Sequence, residues 1–200
     1  NSICLGDSVL ISASGALNYQ WGNGVQLSNQ YVSPTTIGNN SYIVTGSDVN
    51  SCSNSDTVNV LVNSLPIAQV SASDTNICIN DTITLLSSAA SNYQWNNGST
   101  SQSQTLILGN AGTTIFTVTI FDNNSCSATD SVIVNVNNNP TISVSANNNN
   151  ICIGESVTLS ATGAINYLWD NGVTSSTQVI TPSTSAILTY SVVGTDINSC

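Results

Sequence analysis

ICLGDSVLISASGALNYQWGNG, Ile3–Gly24, decides how the chain is read, because it occurs three times. It returns as ICINDTITLLSSAASNYQWNNG over Ile77–Gly98 and as ICIGESVTLSATGAINYLWDNG over Ile151–Gly172. Cys4, Cys78 and Cys152 stand 74 residues apart, as do Trp21, Trp95 and Trp169. A second cysteine follows each first one after 48 positions, at Cys52, Cys126 and Cys200. The chain is a tandem array with a 74-residue period and no insertions, and every other feature is placed by that period.

Inside each period the apolar residues alternate and are rich in β-branched types, with no helical spacing. In the middle repeat the pattern predicts a first strand over Ile67–Ala72, a loop over Ser73–Asn80 that carries Cys78, and a second strand over Thr82–Ser87. A third strand begins at Asn92–Trp95, followed by a turn at Asn97-Gly98. Strands are then expected at Thr105–Leu108, Thr114–Phe121 and Val132–Val136. Turns fall between them at Gly109–Thr113 and Asp122–Asp130, the latter carrying Cys126. Short strands separated by Gly, Asn and Ser are the pattern of a β-sandwich, so the fold class is all-β. Pro66 and Pro140 mark boundaries between repeats. Residues 1–64 form a repeat lacking its first strand, residues 65–138 a complete repeat, and residues 139–200 a repeat lacking its last strand.

Composition narrows function. There are 10 acidic side chains and no Lys, Arg or His, a formal charge of −10. Such a surface repels nucleic acid and anionic membranes, whose phosphates call for cations. Without Lys there is no Schiff-base chemistry, and without His the usual general base and the commonest metal ligand are missing. Charged residues are only 5%, yet 40% of the chain is hydrophobic and regularly patterned, unlike a disordered segment. No apolar run approaches the ~18–20 residues that span a bilayer, so no membrane insertion is expected from this segment. No signal peptide is visible and the first residue is Asn1, so the sequence reads as a mature or excised piece of something longer. Six cysteines at strict spacing, without His or a CxxC pair, suit disulfides in an oxidising, extracellular setting better than zinc or redox chemistry. Buried free thiols are the other reading.

Carboxylates are the remaining source of chemistry. Asp48, Asp122 and Asp196 recur beside Asp56 and Asp130, and two carboxylates held at the right separation can cleave glycosides. A catalytic site copied unchanged in each repeat, with no insertion to build a pocket, is not expected, and the chain is read as non-enzymatic with no cofactor. The same three aspartates, each with an Asn two residues on, are the Ca²⁺ candidates. The preferred reading is that Asp and Asn build these turns by bonding their own backbone, leaving no metal site. Trp21, Trp95 and Trp169, with Tyr19, Tyr93 and Tyr167, are read as core anchors in preference to sugar-stacking platforms. Tyr31 has no aromatic counterpart in the other repeats, where Thr105 and Val179 stand.

The order C-x-G-[DE]-S-V, Y-x-W-x-N-G, [YF]-x-V and D-x-N-S-C resembles the Ig-like or PKD-like repeats of large Bacteroidota cell-surface proteins such as gliding adhesins, over the whole chain. The middle repeat departs from it with Asn80 in place of Gly and Phe116 in place of Tyr42 and Tyr190. The resemblance implies tandem Ig-like sandwich domains. It also marks Asp-[Ser/Thr]-aliphatic triplets as candidate O-glycosylation sites, at Ser8, Thr57, Thr82 and Ser131, whereas Glu155-Ser156-Val157 breaks the signal in the third repeat.

Ig-like topology bears on the disulfides. It places cysteines of the Cys4 type at one end of a domain and those of the Cys52 type at the other, ~20–25 Å apart at ~3.3 Å per strand residue. A disulfide requires Cα atoms within ~7 Å. The expectation is therefore inter-repeat bonds, Cys4–Cys126 and Cys78–Cys200, with Cys52 and Cys152 pairing outside this window. Bonds within each repeat, Cys4–Cys52 and its copies, stand as the alternative should the strand order differ. These features lead to a structural rod or stalk of a secreted adhesin or extracellular filament. Its partners would be neighbouring repeats of the same long chain and like chains in a filament. The alternative is a surface module whose repeats bind glycans or Ca²⁺.

Overall fold

A computed structural model describes residues 2–200 of the chain. Its regular structure is entirely β. Among the described residues no helix is long and apolar enough to cross a membrane.

The first repeat gives β1 (Ser2–Cys4), β2 (Val9–Ser12), β3 (Asn18–Trp21), β4 (Asn29–Val32), β5 (Gly38–Ser47) and β6 (Ser53–Asn63). One sheet has the order β1-β6-β5-β3, and β2 pairs with β4 in a second. Ile11 of β2 and Val32 of β4 pack with Trp21 of β3, Val44 of β5 and Val60 of β6 in a single buried cluster. Two sheets sharing one core between their inner faces make a β-sandwich of Ig-like type.

The middle repeat supplies β7 (Val70–Ala72), β8 (Asn76–Cys78), β9 (Thr82–Ser87), β10 (Asn92–Trp95), β11 (Ser103–Ile107), β12 (Gly112–Phe121) and β13 (Ser127–Asn137). The third supplies β14 (Ser143–Ala146), β15 (Val157–Thr162), β16 (Asn166–Trp169), β17 (Thr177–Ile180) and β18 (Val192–Thr195). Their sheets are β10-β12-β13-β8 and β11-β9-β7, then β14-β15-β17 and β16-β18, so each sheet draws its strands from one 74-residue repeat. Packing divides the chain into two compact units. One comprises Asn1–Val70, Leu86–Gln102 and Thr117–Ser131; the other comprises Ser71–Leu85, Ser103–Phe116 and Val132–Cys200.

Alternation decides which face is buried. In β9, TITLLS, the side chains of Ile83, Leu85 and Ser87 are buried while Thr82, Thr84 and Leu86 are exposed. Phe116, Val118 and Ile120 do the same on β12, and Val134 and Val136 on β13. Successive strand residues point to opposite faces, so this period of two is enough to fix each strand against the core.

The expected strands are present with five changes, one being that β12 begins at Gly112, inside the turn expected over Gly109–Thr113. The first strand of the middle repeat is shorter, Val70–Ala72, because Ile67–Gln69 bond to Ser88 irregularly: the Ser88 hydroxyl donates to the Ile67 carbonyl and accepts from the Gln69 amide. The last hairpin turn is tighter than Asp122–Asp130, since β13 already begins at Ser127. The strand expected over Thr105–Leu108 runs from Ser103 to Ile107. The segment expected as a loop over Ser73–Asn80 contains β8, which pairs parallel with β13 in the register Asn76↔Asn135, Ile77↔Val136 and Cys78↔Asn137. β1 pairs parallel with β6 in the same way. The Asn63 and Asn137 side chains reinforce these short ladders by donating to the carbonyls of Ile3 and Ile77. The third repeat, whose described residues include no counterpart of β6 or β13, has no strand at Ile151–Cys152. Three residues cannot hold an isolated strand, so the partner decides.

At the Asn80 position the first and third repeats carry Gly6 and Gly154, all three with positive φ (69°, 97° and 85°). Asn is among the non-glycine residues that enter this region at least cost, which explains the substitution.

The cores turn on the tryptophans. Trp21, Trp95 and Trp169 are 2%, 2% and 1% exposed, and the indole N–H of each donates to a loop carbonyl: Leu27, Ser101 and Ser175, at 2.8, 2.8 and 2.9 Å. Trp95→Ala empties the centre of its repeat and orphans the Ser101 carbonyl, and it is expected to cost about 3–5 kcal/mol. Denaturant unfolding measures this; a loss below about 1 kcal/mol would remove Trp95 as the anchor.

Candidate functional site

The site is the set of cysteine turns, since these are where the repeats carry identical chemistry. The D-x-N-S-C turn is built the same way each time. Asp48 Oδ1 accepts the amides of Asn50 and Cys52, both at 2.9 Å. Asp122 Oδ1 accepts those of Asn124 and Cys126 at 2.8 and 2.9 Å, and Asp196 Oδ1 those of Asn198 and Cys200 at 2.8 and 3.0 Å. Each aspartate amide returns a bond to the cysteine carbonyl, and the serine before the cysteine sits at φ 65°, 64° or 66°. The carboxylate at the start of each turn thus closes it and fixes the backbone of the cysteine.

The other cysteine of each repeat is held by a second turn. The Cys4 amide donates to Asp7 Oδ2 at 3.1 Å and the Cys78 amide to Asp81 Oδ2 at 2.9 Å. In the third repeat Glu155 does the same through Oε2 for Cys152, at 2.9 Å. The residue that breaks the glycosylation triplet therefore keeps the turn. The aspartate of such a triplet has a backbone to hold, whether or not its neighbour carries sugar. Ser8, Thr57, Thr82 and Ser131 are all exposed.

The two turns meet in covalent bonds. Cys4 is joined to Cys126 with a Cα separation of 5.5 Å, and Cys78 to Cys200 with 5.4 Å; each pair is 122 residues apart in sequence. Both bonds therefore join one repeat to the next. Cys52 and Cys152 are free and exposed. No bond joins Cys4 to Cys52.

Asp48, Asp122 and Asp196 spend an oxygen on two amides each, and no cluster of three or more Cys, Asp or Glu able to hold a metal ion occurs among the described residues. The tyrosines are tied to their own loops: the hydroxyls of Tyr19, Tyr93 and Tyr167 accept the amides of Ala16, Ala90 and Ala164 at 3.0, 2.8 and 3.1 Å. The indoles are buried, while these tyrosine rings are half-buried. Tyr31 is 73% exposed and stands alone.

No known family and no curated protein matches the chain. Among solved structures the similarities are distant. The fibronectin(III)-like modules of Clostridium thermocellum CbhA are 14% identical with a TM-score of 0.37, covering 68% of this chain and 89% of theirs. The amphioxus IgVJ-C2 molecule is 15% identical with a TM-score of 0.31, covering 68% and 99%. A Bacteroides ovatus mixed-linkage glucan utilization locus protein, SGBP-B, solved with a mixed-linkage heptasaccharide, is 13% identical with a TM-score of 0.24, covering 99% of this chain and 60% of its own.

Sequence reasoning had no view of β1 and β8, which set the position of Cys4 and Cys78. Their signal was an isolated Ile before each cysteine, too short to count as a strand without its distant partner.

Two outcomes are expected. Asp122→Ala leaves the Asn124 and Cys126 amides without their acceptor and lowers the melting midpoint, while Asp122→Asn, which retains an acceptor oxygen, recovers most of the loss. Millimolar Ca²⁺ leaves the wild-type midpoint unchanged; a rise on adding Ca²⁺ that chelator reverses would make these turns ion sites.

Proposed function

We propose that the chain is a non-enzymatic structural segment of a secreted cell-surface protein, a rod or stalk of the adhesin or extracellular-filament kind, in which disulfides carry tension from repeat to repeat. The observation that carries this reading is the pairing of Cys4 with Cys126 and Cys78 with Cys200 across repeat boundaries. Disulfides persist in oxidising compartments, which supports an extracellular location. Free Cys52 and Cys152 are of the two complementary types, and each would pair with a cysteine of a further repeat, continuing the series. Candidate partners are therefore neighbouring repeats of the same long chain and like chains in a filament. Exposed Ser8, Thr57, Thr82 and Ser131 would carry O-linked sugar if the host has the enzymes.

Covalent topology gives the mechanics. The shortest bonded path from Cys4 to Cys200 crosses one disulfide to Cys126, runs back 48 residues to Cys78 and crosses the second to Cys200. At ~3.3–3.6 Å per residue that path is about 160–170 Å long, whereas the reduced chain between the same cysteines reaches about 650–700 Å. Force spectroscopy on the chain held by its ends should find the oxidised form stopping near the shorter limit and the form in reductant near the longer. Equal extension in both conditions means that the disulfides bear no tension, and the reading fails. Saturable binding on a glycan array would instead favour the alternative, a carbohydrate-binding surface module.

A further inference from the structure

Just past the buried tryptophan the three repeats differ in one side chain. In the middle repeat the Asn96 amide donates to the Thr117 carbonyl at 3.0 Å, and Asn96 Oδ1 accepts the Thr117 amide in return at 3.2 Å. In the third repeat the Asp170 amide donates to the Ser191 carbonyl at 3.0 Å, and Asp170 Oδ2 accepts the Ser191 amide at 3.0 Å and its hydroxyl at 3.3 Å. Where β10 and β16 stop, a side-chain oxygen thus takes the next amide of the facing segment.

The first repeat has Gly22 at this position. The Gly22 amide still donates to the Ile43 carbonyl at 2.9 Å, but Gly22 has no side chain to accept the Ile43 amide. The ladder on the other side does not serve it either. The Asp48 amide donates to the Cys52 carbonyl, so the bonded pairs between β5 and β6 fall on the even-numbered residues of β5. Ile43, opposite Thr57, points its amide away from β6.

A cleft of about 350 Å³ opens here, with Trp21, Gly22, Asn23, Gln30, Ser41 and Ile43 among its walls. A Cβ on Gly22 would meet only the Ile43 carbonyl oxygen, at 3.8 Å, so there is room for the group that Asn96 carries in its own repeat. The third repeat also has a cleft at this place, of about 470 Å³, but Asp170 stands in its wall and already holds the Ser191 amide.

The other two repeats name the chemistry that fits: a carbonyl-type oxygen on a short side chain. Charge chooses between its two forms. The chain has no Lys, Arg or His and a formal charge of −10, so a free carboxylate would be repelled with no cation to offset it. A carboxamide is neutral, and it brings N–H donors as well. Ser41 Oγ can receive one, because it donates its own proton to Asn59 Oδ1 at 2.7 Å and keeps its lone pairs.

We propose that this cleft of the first repeat is a docking site for an asparagine-type carboxamide presented by a partner polypeptide. The carboxamide oxygen would accept the Ile43 amide, and its nitrogen would face Ser41. A polypeptide is the fitting source, because the groups that serve the equivalent amides are themselves side chains on a turn. The site lies within one repeat and uses neither disulfide, so it goes beyond the rod reading and is tested apart from it.

Heteronuclear NMR on the oxidised 200-residue chain follows the Gly22 and Ile43 amides as N-acetyl-asparagine methylamide is added. A saturable shift at Ile43 is expected. N-acetyl-leucine methylamide, N-acetyl-aspartate methylamide and N-acetylglucosamine should each bind at least about tenfold more weakly, the scale of one net hydrogen bond. Gly22→Asn supplies the carboxamide from within, as Asn96 does, and abolishes the saturable shift while the melting midpoint stays level or rises. Gly22→Ala adds no acceptor and leaves binding in place. Gly22 lies outside the positive-φ region, so neither substitution strains the turn. No saturable shift with wild-type chain, equal binding of the leucine or aspartate analogue, or binding that survives Gly22→Asn overturns the proposal. So does N-acetylglucosamine binding as tightly as the blocked asparagine, which would make the carboxamide that of a sugar.

Discussion

A bond that spans 122 residues in an array of period 74 must cross a repeat boundary, and the rest of the molecule accommodates that constraint. Closing so long a loop removes more disorder from the unfolded chain than a bond within one repeat would, about 4.7 kcal/mol at 100 residues in the chain-entropy description. Small domains need the help. A sandwich of this size buries only about 60% of the surface its unfolded chain exposes, which leaves a thin margin over conformational entropy. The two loops also overlap through the middle repeat, so a pull along the chain travels backwards through Cys78–Cys126 before it can unravel anything else.

Charge is the second constraint. With no Lys, Arg or His in the sequence, the 10 carboxylates have no side-chain cation to face. Backbone amides take that place. Asp7, Asp81 and Glu155 accept the amides of the first cysteines. Asp48, Asp122 and Asp196 accept those of the second cysteines. Asp56, Asp74, Asp130 and Asp170 accept amides from Thr57, Asn76, Val70 and Ser191. Every acidic side chain thus anchors main chain. A carboxylate accepting an N–H makes a charge-assisted bond, stronger than its neutral equivalent and set by local turn geometry instead of by the rotamers of two long side chains. Six of the ten hold cysteine amides, so the acidic residues do for the crosslinks what ion pairs do elsewhere.

What could be read from the sequence follows from what is local. The period, the alternation of TITLLS, the Asn-Gly turns and the central tryptophans depend on neighbours a few residues away, and these elements appear at or within a few residues of where the pattern puts them. The Asp48, Asp122 and Asp196 turns were legible for the same reason, since an Asx bond closes within four residues. β1 and β8 were not legible, because each exists only through a parallel partner some 60 residues away. Reading Cys78 as a residue of the Ser73–Asn80 loop missed that the crosslink leaves from a strand, whose ladder fixes its direction.

The period is strict in the turns and loose in the cores, and the two facts have one cause. A cysteine or its carboxylate cannot move without losing a bond whose geometry tolerates little error, so the cysteines repeat residue for residue and the acid partner is kept, as Glu155 in the third repeat. A core position is constrained only through the volume it shares with its neighbours. Ile142 lies over Gly194 in the third repeat, whereas the middle repeat carries Ala68 and Ile120 at those positions. Each repeat has therefore settled its interior separately while its connectors stayed fixed.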